Sequence, residues 1–268
     1  MNLGFNFKRP SSSIYEPTYK LYHYQDDVFR LVLFSKREKG WEKEQNTKNG
    51  VNTQEKNITP DDEIERISLS RVKREVKEYA LCNNFKYFVT LTVNSKHCDR
   101  FSLQECQDNL RKLIKEYARR SKRNNKKFHY LLITEKHKNG AFHFHGLFSD
   151  LLEKDIYINE NGYISSHYFN EHLGFCSFSE IRDILKCANY ITKYITKDCV
   201  KNENNRIYFC SKGLSRAAVY DLPARDVKVG YNLSEEFWSY SNDFCKVKDF
   251  HYSELSDSDK MFLFTNYS

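Results

Sequence analysis

The chain has 268 residues, 40% of them hydrophobic, enough for one sizeable core or two small ones without covalent staples. Its formal charge of +7 is local: Arg111, Lys112, Lys115, Arg119, Arg120, Lys122, Arg123, Lys126 and Lys127 crowd one segment against the single acid Glu116, which suits either a polyanion such as nucleic acid or a solvated helix face. The eight cysteines form no Cys-x-x-Cys pair, no run approaches the about 20 apolar residues that cross a bilayer, and the N-terminus shows no basic-then-apolar leader; these features argue against a disulfide scaffold, a zinc finger, export and membrane insertion, and a cytoplasmic chain with reduced thiols is expected.

Two aromatic-rich runs, Tyr19 to Tyr24 and Val28 to Phe34, flank Gln25-Asp26-Asp27 and predict a hairpin. Residues 36–62 are charged and nearly free of apolar side chains, the pattern of a flexible linker. Val72, Val76 and Ala80 at four-residue spacing predict a helix over Ser68 to Leu81, and the β-branched and aromatic run Phe85 to Val93 predicts a buried strand. A basic helix follows from Ser102 to Lys122, with Leu103, Cys106, Leu110, Leu113, Ile114 and Tyr117 on its buried side. Phe128 to Lys136 and Ala141 to Phe148 are strands around an Asn139-Gly140 turn.

The second of these strands carries His143-Phe144-His145. Alternate side chains of a strand share a face, so both imidazoles point one way and can be presented to one divalent ion while Phe144 turns the other way. The turn decides what stands beside them. A two-residue turn at Asn139-Gly140 sets Glu135 opposite Phe144; a three-residue loop Lys138-Asn139-Gly140, with Gly140 left-handed in a bulge, sets Glu135 opposite His143 and Ile133 opposite His145. Only the second register places a carboxylate with the imidazoles, and it is the one expected here. It also brings His137 to that face.

Ser177 with Glu180 fits a capping box that would start the next helix. At 3.6 residues per turn, Tyr190, Lys193, Tyr194 and Lys197 fall on one stripe and Ile184, Ala188, Ile191 and Ile195 on its neighbour, so one stripe packs and the other is free to work. Arg206 to Cys210 is a last short strand, ended by Ser211-Lys212-Gly213, and the sequence beyond assigns no chemistry. The element order predicts an α+β fold, ferredoxin-like or RNA-recognition-like, with an antiparallel central sheet and helices on one face.

These residues resemble the HUH endonucleases, specifically the two-tyrosine rolling-circle replication initiators of single-stranded DNA phages and related plasmids. Phe88-Val89-Thr90-Leu91-Thr92 is similar to the family's first motif, His143-Phe144-His145 to its second, and Tyr190, Lys193, Tyr194 and Lys197 to its third. Ser211-Lys212-Gly213-Leu214-Ser215-Arg216 resembles a segment that follows the third motif in phage initiators. The resemblance covers residues 68–215 as an endonuclease domain, leaving 1–67 as an N-terminal extension and 216–268 as a tail of unknown role.

The resemblance implies site-specific nicking and joining of single-stranded DNA at a replication origin. Tyr190 and Tyr194 would be alternating nucleophiles forming a 5′-phosphotyrosine and freeing a 3′-hydroxyl. His143, His145 and Glu135 would hold Mn2+ or Mg2+. Lys193 and Lys197 would favour phenolate and hold phosphate. Arg111, Lys115, Arg119, Arg120, Lys212 and Arg216 are candidates for backbone contact. No Gly-x-x-x-x-Gly-Lys-Ser/Thr string occurs, so a host helicase would unwind the duplex and a host DNA polymerase would extend the primer. A mobilisation relaxase or transposase would use the same chemistry; a non-catalytic binding module of RNA-recognition-like fold would use the sheet aromatics and no metal.

Overall fold

The computed structural model describes residues 18–34, 60–196, 207–223, 237–241 and 245–264. It divides into two compact units, one from Glu55–Ala217 and one from Met1–Gln54 with Ala218–Ser268.

In the smaller unit, β1 (Thr18–His23) and β2 (Val28–Phe34) form the antiparallel hairpin that their aromatic runs predict. The chain's tail supplies β10 (Ala218–Pro223), β11 (Tyr240–Ser241) and β12 (Cys245–His251), giving an antiparallel sheet in the order β10-β1-β2-β12-β11. Leu21, Phe29, Leu31, Phe250 and Leu255 make its core, and Phe264 of α5 (Asp257–Phe264) packs against them. Arg30 donates to both oxygens of the Asp249 carboxylate, at 2.7 and 3.2 Å, across β2 and β12.

The larger unit is built on a seven-stranded antiparallel sheet. Its strands are β3 (Tyr87–Thr92), β4 (Tyr130–Lys136), β5 (Phe142–Phe148), β6 (Ile156–Ile158), β7 (Ile164–Ser166), β8 (Cys176–Glu180) and β9 (Tyr208–Cys210), in the order β6-β7-β8-β3-β5-β4-β9. The α+β class and the antiparallel sheet are those expected, consistent with an open ferredoxin-like fold.

One face of this sheet carries the main core. Val89, Leu91, Leu132, Phe142, Phe144 and Phe148 pack on α2 (Leu103–Arg123) through Cys106, Leu110, Leu113, Ile114 and Tyr117, the stripe that periodicity picks out. Tyr168 and Phe169 of α3 (His167–His172) join the same core. Tyr117 is fully buried among Phe128, Tyr168 and Phe169; burying a side chain of this size contributes roughly 1.5–3 kcal/mol. Ser102 caps α2 by accepting from the Glu105 N–H at 3.4 Å.

The other face carries the remaining two described helices, α1 (Pro60–Leu81) and α4 (Ile184–Ile191). Strand parity shows the division. Phe209 is paired with Leu132 and meets Arg111 of α2, whereas Tyr208 is paired with Ile133 and donates to Glu75 of α1 at 2.8 Å. Helices therefore lie on both faces, α2 and α3 opposite α1 and α4. The linker read over 36–62 falls outside the described residues up to 59. Its last residues belong to α1, which begins at Pro60 rather than Ser68 because proline in the first turn gives up no helical hydrogen bond.

The tyrosine helix does not start at the expected capping box. Ser177 to Glu180 lie in β8, paired with β3 from Thr90 to Tyr87, and the helix starts at Ile184 with Asp183 as its cap, accepting from the Lys186 N–H at 2.9 Å. Sheet pairing outweighs the local capping pattern there. Among the described residues no helix is long and apolar enough to cross a membrane, and the seven described cysteines are free thiols.

Candidate active site

The register of β4 and β5 is the bulged one: Glu135 is paired with His143 and Ile133 with His145. The loop shows why. The Gly140 N–H donates to the His137 carbonyl at 2.8 Å, closing a turn, and the His137 N–H donates to the Ala141 carbonyl at 2.8 Å, so three residues make the loop. Gly140 has φ +87°, and a Cβ there would meet nothing closer than the Phe101 ring at 3.7 Å; conformation rather than space demands glycine.

On the other side of β5, β3 places Thr90 opposite His145 and Thr92 opposite His143. Their hydroxyls meet the Nδ1 atoms, Thr90 Oγ1 at 3.2 Å from His145 and Thr92 Oγ1 at 3.3 Å from His143. Both imidazoles are thereby held by one nitrogen with Nε2 left for the site. The motif resemblance of this strand gives the hydroxyls no role; threonine at alternate positions of a strand next to an imidazole pair was the available signal. Glu135 Oε2 lies 2.7 Å from His145 Nε2, and the His137 ring stacks on His143 at 5.3 Å.

The tyrosines stand on this face. The Tyr194 ring stacks on His145 with centroids 3.9 Å apart and 11° between planes, and its hydroxyl donates to the Tyr190 hydroxyl at 2.9 Å. Phe88, from the same face of β3, meets Tyr190 edge-on at 5.5 Å and lies 6.4 Å from Tyr194. Buried Lys77 of α1 donates to Asn189 at 2.5 Å, tying α4 down beside its working residue. The helix is not continuous through both phenols. It tightens into a 3-10 turn at Thr192–Tyr194 and is extended at Ile195. Lys193 is exposed with its ammonium 5.2 Å from the Tyr190 ring centre, and Lys197 lies outside the described residues.

Burial pushes the proton affinity of both imidazoles down: for His143 the neighbouring His137 and His145, and more weakly Arg100, add to it, and for His145 it outweighs the Glu135 hydrogen bond. Burial first, then the Tyr190 hydroxyl, raises the Tyr194 phenol above its ordinary range. Lowered imidazoles are neutral at pH 7 and so have a lone pair to donate. With the Glu135 carboxylate they form a mixed nitrogen and oxygen donor set that suits a divalent ion. The arrangement is closed, however: Glu135 rests on His145, and among the described residues no three His, Cys, Asp or Glu side chains are spread as ligands of one ion.

The six residues read as backbone contacts are placed less uniformly. Arg111, Lys115, Arg119 and Arg120 are on α2, across the sheet from the histidines. Arg111 pairs with Asp108 at 2.6 Å, Arg119 with Glu116 at 2.7 Å, and Arg120 with Asp155 at 3.7 Å, while Lys115 is exposed. Lys212 is exposed in the turn after β9. Arg216 is engaged within the fold: it bonds Glu75 at 2.6 Å, Glu78 at 3.0 Å and the Tyr79 hydroxyl at 2.8 Å, and lies 4.0 Å over the Tyr79 ring.

No curated protein and no solved structure matches the chain. Residues 86–199 match the family model of the ORF2-type replication-associated proteins. That stretch runs from the strand bearing Thr90 and Thr92 through both histidines and Glu135 to the paired phenols, and the match supports a replication-associated protein.

Proposed function

We propose that this chain is a rolling-circle replication initiator of the two-tyrosine HUH type, which cuts and rejoins single-stranded DNA at an origin. The observation that carries the reading is the stacking of Tyr194 on His145 with the two phenol oxygens 2.9 Å apart. A tyrosine oxygen attacks the phosphorus, the bond from phosphorus to the 3′-oxygen breaks, the phenol proton is given up and the 3′-oxygen takes one. The products are a 5′-phosphotyrosine and a 3′-hydroxyl primer, and the exchanged ester keeps the energy needed for rejoining.

The two phenols are inequivalent in the resting site. Tyr190 is 45% exposed and its oxygen accepts the Tyr194 proton, whereas Tyr194 is covered by His145. Tyr190 is therefore the first nucleophile, and Tyr194 serves when a second cut releases the circle. Lys193 at the Tyr190 ring holds a positive charge beside the incoming phosphate, a place Lys197 would share. His143, His145 and, once it swings off His145, Glu135 would hold Mn2+ or Mg2+. The ion's chemistry is to polarise a non-bridging phosphate oxygen and steady the leaving 3′-oxygen. A host helicase and DNA polymerase would complete the cycle.

The test is covalent capture. The protein is incubated with a pool of random single-stranded DNA and Mn2+, and denaturing gels are searched for a protein-DNA adduct whose linked strand is sequenced. An adduct lost in Tyr190→Phe and in His145→Ala is expected; no adduct under any divalent ion would sink the reading. The closed Glu135–His145 contact favours one rival, a metal-free binding module, which predicts DNA affinity with no adduct and no response to Mn2+.

A further inference from the structure

Arg100 lies in the segment between β3 and α2, outside every motif singled out in the sequence. Its carbonyl accepts from the Phe142 N–H at 2.9 Å, one residue before His143, and the ring of Phe101 lies against Gly140 of the loop. The segment is thus docked on the turn that sets the site's register. Among the described residues no carboxylate pairs with Arg100, and its Nε is buried with no hydrogen-bond partner. The other described arginines differ. Arg71, Arg74, Arg123 and Arg182 are exposed, and the half-buried Arg30 and Arg120 each have a carboxylate. A buried donor left unpaired is costly, and in a native fold it marks a place where an ion or ligand belongs.

The site has two ends. The phenols are at His145, on which Tyr194 stacks; His137 stacks on His143, and it is on His143, not His145, that the Arg100 charge acts. Two strand positions separate these ends by about 7 Å, at 3.2–3.4 Å per residue. A guanidinium is a planar fork matched to two oxygens of a phosphate. We propose that Arg100 is a further DNA-binding residue that grips the phosphate next to the scissile one, fixing the strand so that the scissile phosphorus falls at the phenols. This rests on the nuclease reading for the identity of the scissile linkage, while the phosphate contact itself is testable by binding alone.

The experiment uses the full chain and a strand recovered from the random pool, by adduct where one forms and otherwise by tightest binding. A single neutral methylphosphonate is moved along its linkages, and affinities are compared for the wild type, Arg100→Gln and Arg100→Lys. Arg100→Gln is expected to weaken binding of the unmodified strand about tenfold, in line with a charge-assisted contact. Arg100→Lys should recover part of this. One methylphosphonate, adjacent to the cut linkage, should weaken the wild type by the same factor and leave Arg100→Gln unaffected. Equal loss at every modified linkage, coupling at the cut linkage itself, or wild-type affinity for Arg100→Gln overturns the proposal. The wild-type scan also guards against a folding defect, since a wild type insensitive at the flanking linkage refutes the contact without any variant. Absence of adduct together with a single coupled linkage would reject the nuclease and retain the phosphate site.

Discussion

Thr90 offers the sharpest test of how the histidines are held. In the closed arrangement His145 Nε2 is 2.7 Å from Glu135 Oε2 and so carries the proton, leaving Nδ1 to accept from the Thr90 hydroxyl at 3.2 Å. To ligate through Nε2, the imidazole must move its proton to Nδ1 and donate to the same hydroxyl. A hydroxyl serves both tautomers; a methyl serves neither. Thr90→Val keeps volume and strand propensity and removes one neutral hydrogen bond, about 0.5–1.5 kcal/mol, or roughly 2- to 13-fold in an equilibrium. Orienting residues behind metal-bound histidines typically matter 10–100-fold, so about tenfold is expected. The assay is the Mn2+ concentration giving half-maximal adduct, with Mn2+ binding by calorimetry as a check independent of turnover. Thr90→Val should raise both about tenfold and Thr90→Ser should stay near the wild type. Equal midpoints for Val and Ser would refute the hydroxyl's role, since a packing effect of the lost methyl would weaken the serine variant instead.

Gly140→Ala forces a side chain into φ +87° without any clash, so urea unfolding should show a loss of about 1 kcal/mol, with Gly140→Asn milder. Gly146→Ala is a different case: its Cβ would fall 2.1 Å from the Leu131 carbonyl, β4 must give way, and a loss of roughly 1–3 kcal/mol or more is expected together with the Glu135 register. Arg216 holds the Glu75 carboxyl below its usual range, so the pair's contribution is present above the unfolded carboxylate pKa of about 4.3 and fades as pH falls through the lower folded value. The stability difference between wild type and Arg216→Met should therefore shrink between pH 5 and pH 3 in urea titrations at roughly those pH values. Charge reversal at Lys115 and Lys122, exposed on the far face of the sheet, should flatten the salt dependence of DNA binding, while adduct yield at saturating DNA stays unchanged.

The parts of the site that follow from period and turn chemistry were legible. Strand alternation fixed the face of His143 and His145, and the Lys138-Asn139-Gly140 bulge fixed the partner of each; both are local properties of the chain. The hydroxyl contacts needed the β3–β5 register, which links residues more than fifty positions apart, and Arg100 needed the docking of an irregular segment on a distant turn. Neither leaves a periodic trace. Arg216 looked like a free cation because its carboxylate partners Glu75 and Glu78 sit one turn apart on a helix far upstream. In the smaller unit, Lys246 and Lys248 of β12 fall opposite Leu33 and Leu31, so the strand lacks the apolar alternation that would announce it.

The break in the tyrosine helix has the largest functional consequence. In an unbroken α-helix each residue turns 100°, and Tyr190 and Tyr194 would lie on one stripe with similar surroundings. A 3-10 step turns 120°, so three such steps over Thr192–Tyr194 carry Tyr194 roughly 60° further around the axis. That rotation is enough to move one ring off a shared stripe and onto His145 while its neighbour keeps its exposure. Periodicity alone thus reads two equal phenols, whereas the tightened turn makes one a covered partner that donates its proton to the other. An enzyme that must use two tyrosines in sequence needs such a difference before substrate arrives, and here the backbone supplies it without a change in either side chain.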